Sequence, residues 1–77
     1  MRTLSDYTQP RRIVKEIRDD YTRRFSGSNQ VFRNIEGEAL WNVLSYRLQR
    51  AGVEGHIARR VATITRDRVL RATGYRL

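Results

Sequence analysis

The chain has 77 residues, 39% of them hydrophobic and 31% charged, which suits one small folded domain with little room for an internal active-site cavity. It contains no cysteine, which excludes disulfides, thiolate metal ligands and a cysteine nucleophile. Sixteen basic residues against eight acidic ones give a net charge of +8, which predicts a polyanionic partner such as nucleic acid or an acidic protein face.

The positive charge is concentrated in the second half of the chain. Residues 1–39 carry eight basic and six acidic side chains, a net of +2, whereas residues 40–77 carry eight basic and two acidic ones, a net of +6. Fifteen of the sixteen basic residues are arginines, whose planar guanidinium matches phosphate and carboxylate oxygens in a bidentate fashion. We therefore expect a polyanion to bind the second half.

The first predicted helix follows a proline. Pro10 is typical of the first turn of a helix, so the sequence predicts an arm over residues 1–9 and a helix over residues 10–26, before Gly27. Apolar residues recur on one helical stripe: Ile13, Val14, Ile17, Tyr21 and Phe25. The outer face is predicted to pair charges four residues apart: Arg12 with Glu16, Lys15 with Asp19, and Asp19 with Arg23. Arg24 falls inside the apolar stripe. Its charged group either reaches past the stripe to solvent, as a snorkelling side chain does, or contacts a partner.

Residues 29–52 are predicted to form one or two helices. Asn29 or Ser28 can cap the segment, and Gly37 lowers helix stability by about 1 kcal/mol relative to alanine, which leaves a break there open. Gly52 ends it. Trp41 is expected at the centre of the core, in a set of apolar residues that face one way: Leu40, Trp41, Val43, Leu44, Leu48 and Ala51.

Residues 56–73 resemble a helix-turn-helix. A short helix containing Ile57, Ala58 and Val61 would lead into a turn plugged by Ile64, and a second helix would start at Thr65. The pattern departs from the motif because an alanine replaces the turn glycine and the turn is one residue longer. The alternative is one amphipathic helix from residue 54 to 73 that packs on the others.

The resemblance implies a role for the arginines of this segment. Arg59 and Arg60 would lie against the DNA backbone, and the second helix would project its arginines toward phosphates or base edges. The predicted nucleic-acid-binding residues are Arg59, Arg60, Arg66, Arg68 and Arg71. The sequence predicts no catalytic residue, no metal ligand and no cofactor, since His56 lacks a neighbour at metal-ligand spacing and the carboxylates occur in exposed pairs.

Together these elements predict an all-α fold, a compact bundle of three to five short helices with a helix-turn-helix-like C-terminal half. A ribbon-helix-helix fold with a strand near Thr3–Tyr7 is another interpretation, but this segment lacks the alternation of apolar and polar residues that is typical of a strand. Homodimerisation would help to bury Trp41 and the Val31–Phe32 face.

The predicted function is a small nucleic-acid-binding protein, most simply a DNA-binding regulatory or accessory protein, and not an enzyme. Duplex DNA is favoured over RNA because the aromatic residues are assigned to the core rather than to base stacking. The alternative is an adaptor or inhibitor that docks an arginine-rich face on an acidic protein such as a nucleic-acid-processing enzyme. The mean hydropathy of −0.70 and the lack of a long apolar run favour a cytoplasmic protein that does not bind membranes.

Overall fold

A computed structural model describes the backbone of residues 4–74 and the side chains of residues 9–74. Across this range the chain forms three α-helices: α1 Leu4–Phe25, α2 Gln30–Arg50 and α3 Gly55–Ala72. The all-α prediction is confirmed, and the number of helices lies at the lower limit of the predicted range. The strand considered near Thr3–Tyr7 is wrong for residues 4–7, which are helical, and Thr3 lies outside the described residues.

Helix α1 begins earlier than the sequence predicts. Residues 4–9 belong to the helix and are not an arm, which places Pro10 inside α1 and not in its first turn. The predicted arm residues 1–3 lie outside the described range. Proline fixes φ near the helical value, so the helix continues through it, but the missing N–H removes one backbone hydrogen bond. That loss falls near the N-terminal end, where few residues precede it.

The turns lie where the sequence places them. The Asn29 side chain caps α2 by accepting a hydrogen bond from the Phe32 N–H at 2.8 Å, which decides between the two predicted caps. Gly27 and Gly52 adopt φ of 78° and 97°, the left-handed region that glycine enters without steric strain. Helix α2 is continuous through Gly37, so residues 30–50 form one helix.

Helix α3 is also one helix, and the predicted helix-turn-helix is wrong in this segment. The buried positions Ala58, Ala62, Thr65 and Val69 are separated by four, three and four residues, so helical spacing runs through the expected turn. Thr63 lies inside the helix, and its hydroxyl donates to the Arg59 carbonyl four residues back at 3.0 Å. Ile64, the expected plug of the turn, is 44% exposed. The alternative of one long amphipathic helix is confirmed.

The three helices pack side by side in alternating directions. Helices α2 and α3 contact each other at both ends. Near their connecting turn, the Gln49 side chain lies beside Gly55. At the far end, Arg33 Nη1 donates a hydrogen bond to the Thr73 carbonyl. Helix α1 runs antiparallel to α2, because Phe25 meets Phe32 near their turn. A helix-turn-helix instead crosses its helices at a steep angle. The whole measures 45 × 20 × 15 Å, as expected for nearly parallel axes.

The core lies along the axis of this bundle. It consists of Ile13, Ile17, Tyr21, Phe25, Leu40, Leu44, Leu48, Ala58, Ala62, Val69 and Leu70. The predicted stripe of α1 is confirmed, with Val14 partly buried beside the core. Trp41 is not at the centre: it packs at the edge, where its Nε1 donates to Thr63 Oγ1 at 2.9 Å. Val43 does not join the core and is 41% exposed.

Candidate nucleic-acid interface

The five arginines predicted to bind nucleic acid all lie on α3, but they do not share one face. Twelve residues separate the ends of the set, which corresponds to about 18 Å along the helix axis. Arg59 and Arg60 lie near the α2–α3 turn, and the other three lie toward the far end of the bundle. Because α3 is a single helix flanked by α1 and α2, the set divides between its two ends.

Arg66 is held against the protein. Its Nε contacts Asp67 Oδ1 at 3.3 Å, and its side-chain carbons lie 3.8 Å from the position that a Cβ on Gly37 would occupy. Its side chain is consequently only partly exposed. Asp67 is therefore the partner of Arg66.

Arg59, Arg60, Arg68 and Arg71 are exposed. Arg59 Nη1 lies beside Gly55, which also has the Gln49 side chain next to it, so this guanidinium follows the surface of the α2–α3 turn. None of these four forms a salt bridge with a carboxylate of residues 9–74. Within the described side chains, no carboxylate competes with an external anion for their donors.

Three further arginines join Arg59 and Arg60 at the same end of the bundle. Arg11 on α1 and Ile57 on α3 line one groove, and Arg50 at the end of α2 lines a second groove with Ile13. Arg12 follows Arg11 in α1 and is also exposed. We call this group the basic end: Arg11, Arg12, Arg50, Arg59 and Arg60. None of its members forms a salt bridge within the described side chains.

The basic end was not visible in the sequence because its residues come from three separated segments. Arg12 was assigned to Glu16, yet Glu16 contacts Arg47 Nη2 of α2 at 3.9 Å instead. Asp19 was assigned to Arg23, which approaches Asp20 at 3.8 Å, whereas the predicted Lys15–Asp19 contact is present at 4.0 Å. Packing of α1 on α2 therefore decides the partner of Glu16, whereas Arg23 meets Asp20 within α1 itself.

Charge is distributed unevenly along the bundle axis. Residues 9–16 and 46–60, around the basic end, carry seven basic and two acidic side chains, a net of +5. Residues 17–38 and 61–74, toward the other end, carry seven basic and five acidic ones, a net of +2. In the sequence, the positive charge is concentrated in the second half of the chain. In the structure, it is concentrated at one end of the bundle.

Arg24, the charged residue inside the apolar stripe of α1, is satisfied within the protein. Its guanidinium carbon lies 5.0 Å from the centre of the Tyr21 ring, and its Nη2 contacts Asp20 Oδ2 at 3.2 Å. Burial raises the pKa of the Tyr21 phenol above its usual value, Arg24 opposes the rise, and Glu36 and Asp20 add to it. The contacts of Arg24 with Tyr21 and Asp20 agree with the interpretation of Arg24 as a snorkelling side chain.

The described side chains form two apolar surfaces outside the core. An open groove of about 490 Å³ between α1 and α3 has apolar walls and a rim of three cations, Arg11, Lys15 and Arg18. The apolar residues that line it are Pro10, Val14, Leu48, Val53, Ile57 and Val61. The second surface is the outer side of α2, where Phe32 is 39% and Tyr46 62% exposed. The expectation that the aromatic residues are confined to the core is wrong for these two.

Comparison of the chain with protein-family models, with curated proteins and with solved structures gave no significant match. No helix in the described part of the chain is long and apolar enough to cross a membrane. The described residues bring together no group of three or more histidine, cysteine, aspartate or glutamate side chains that could hold a metal ion. His56 Nδ1 contacts Glu54 Oε2 at 3.5 Å, and both side chains are exposed.

Proposed function

We propose that this chain is a small nucleic-acid-binding protein that contacts the phosphate backbone of duplex DNA through its basic end. The observation that carries the proposal is the gathering of five exposed arginines from three helices, without a salt-bridge partner among the described side chains. A guanidinium that is not engaged can offer both arms of its fork to a phosphate without first breaking an internal ion pair.

The mode of binding follows from the arrangement of the helices. Helix α3 is packed along its length on α2, so it does not project as a recognition helix. We therefore propose no contacts between α3 and base edges. Phosphate contacts fix a protein on the duplex without reading its sequence. We therefore expect binding that depends little on sequence and that weakens steeply with salt, with a log–log slope of up to about −4 or −5 if each arginine of the basic end meets one phosphate.

A fluorescence-anisotropy titration of a labelled duplex at several salt concentrations tests this proposal. The variant Arg59→Ala/Arg60→Ala should weaken binding by about tenfold or more and reduce the magnitude of the salt slope by about 2. The matched control is Arg68→Ala/Arg71→Ala, which removes two exposed charges from the other end of the same helix. Its effect should be clearly smaller. Equal losses in the two variants, or no saturable binding at low salt, would contradict the proposal.

A second candidate function is a protein–protein adaptor, and the α1/α3 groove favours it. The apolar walls can bury one face of an amphipathic helix, and Arg11 on the α1 rim suits an acidic residue at the edge of that face. Lys15 and Arg18 on the same rim contact Asp19 of this chain at 4.0 and 3.6 Å. The partner would be an acidic protein that presents such a helix.

The two functions separate on one substitution. Ile57 lines the groove and is partly exposed, so Ile57→Asp should leave the fold intact and abolish binding of a synthetic acidic amphipathic peptide. Under the nucleic-acid proposal the same variant should lose DNA affinity only by the factor expected for one added negative charge. Peptide binding that survives Ile57→Asp would remove the groove as a docking site.

A further inference from the structure

Helix α2 is apolar on two sides, and only one of them is covered. Leu40, Leu44 and Leu48 fill the core, while a second row on the outer side consists of Phe32, Ile35, Ala39, Val43 and Tyr46. We call this row the outer stripe. Its residues are three, four, four and three positions apart, which places them on adjacent turns of one face over about 21 Å. Ile35 is 67% exposed. Single exposed apolar residues are ordinary, but a continuous stripe is typical of an interface.

The outer stripe is symmetric about its central residue. Phe32 and Tyr46 are each seven residues from Ala39, and Ile35 and Val43 are each four residues from it. If α2 packs antiparallel on a second copy around a two-fold axis at Ala39, aromatic faces aromatic and β-branched faces β-branched. The alanine at the axis has the small side chain that lets two helix backbones approach closely.

The charges beside the outer stripe favour the same direction. The N-terminal half of α2 carries Glu36 next to the stripe, and the C-terminal half carries Arg47. An antiparallel pair brings Arg47, which also contacts Glu16 of its own chain at 3.9 Å, toward the partner's Glu36. A parallel pair would set each of these charges beside its own copy, which is repulsive.

We propose that two copies of this chain form a homodimer through the outer stripe, with the two α2 helices antiparallel and Ala39 on the two-fold axis. In this dimer Phe32 packs against the partner's Tyr46, and Ile35 packs against the partner's Val43. The partly exposed apolar surface of α2 becomes the centre of the interface. The dimer requires no property of the basic end, so it does not depend on the proposed function.

Mass measurement tests the dimer. The chain has a mass of 9.1 kDa, so sedimentation equilibrium should give about twice that mass at a hundred-micromolar concentration. Ile35→Asp places a charge in the outer stripe at an exposed position and should return the mass to that of one chain. Ile64→Asp places the same charge at an exposed position of α3 and should leave the dimer intact. A wild-type protein that stays monomeric at this concentration overturns the proposal, and so does Ile35→Asp if it remains a dimer.

Single cysteines test the direction of the helices, because the chain has none of its own. Ala39→Cys should form a disulfide-linked dimer under mild oxidation, since residue 39 meets its own copy at the axis. Ile35→Cys should not, because an antiparallel pair separates the two copies of residue 35 by eight positions, about 12 Å. Efficient cross-linking of both variants would show a parallel pair, and cross-linking of neither would show that α2 does not pair with itself at Ala39. Both results overturn the proposal.

Discussion

Truncation of Leu44 provides the sharpest test of the core. Leu44 is fully buried between the helices, and Leu44→Ala removes three carbon atoms whose transfer from water contributes about 2.4 kcal/mol. The cavity left behind adds to this, so the free energy of unfolding should fall by about 3–4 kcal/mol. A domain of this length is typically stable by about 4–12 kcal/mol, so the variant loses a large share of its stability. Its melting temperature should fall by about 12–30 °C.

The measurement is unfolding by heat and by urea, followed by circular dichroism. Ile64→Ala is the matched control, since it also shortens an aliphatic side chain but at a position that is 44% exposed, and it should cost less than about 1 kcal/mol. Neither residue belongs to the outer stripe, so dimerisation contributes equally to both. The reasoning fails if the two variants melt at the same temperature, or if Leu44→Ala melts within a few degrees of the wild type.

Three further predictions concern single contacts. Gly37→Ala should raise the free energy of unfolding, measured in urea, by up to about 1 kcal/mol, because alanine favours the helix. The added Cβ would lie 3.7 Å from the Leu70 side chain, which is an ordinary contact. A destabilised variant would show that the site cannot hold a methyl group. A double-mutant cycle with Trp41→Phe and Thr63→Val should give a coupling energy of about 1 kcal/mol for the indole hydrogen bond, and additive losses would argue against that bond. Burial raises the pKa of Tyr21, so the folded state holds the phenolic proton more tightly than the unfolded chain does. The resulting contribution to the free energy of unfolding is fully present below the ordinary tyrosine pKa of 10.0 and is lost as the pH rises above that value. Urea midpoints measured across alkaline pH should therefore fall less steeply in Tyr21→Phe than in the wild type.

Local signals in the sequence were sufficient for much of the fold. The spacing of Ile13, Ile17 and Tyr21 determines the buried face of α1, because a helix places residues three and four apart on one side. Gly27 and Gly52 determine where helices end, because they supply a backbone conformation that other residues adopt only with strain. Such features act within a few residues, so they can be identified without knowledge of the rest of the molecule.

The interpretation of α3 failed for a reason that lies outside those few residues. Threonines flanking Ile64 are compatible with a turn and also with a helix interior, where a threonine hydroxyl can bond to a carbonyl one turn earlier. Packing against α1 and α2 buries Ala58, Ala62 and Thr65 together, and a turn at Ala62 would break that seam. Tertiary contacts therefore select one of two locally acceptable conformations.

By itself, the sequence determined the all-helical class, the ends of the turns, the core stripe of α1 and the large positive charge of this protein. Only the tertiary structure decided where that charge lies and which apolar residues remain outside the core. Arg11, Arg50 and Arg60 are distant in the chain, and helix packing brings them to one end of the bundle. Val43 and Leu44 are neighbours of similar hydrophobicity, yet α1 and α3 cover only Leu44, since a helix between two neighbours buries one side of itself.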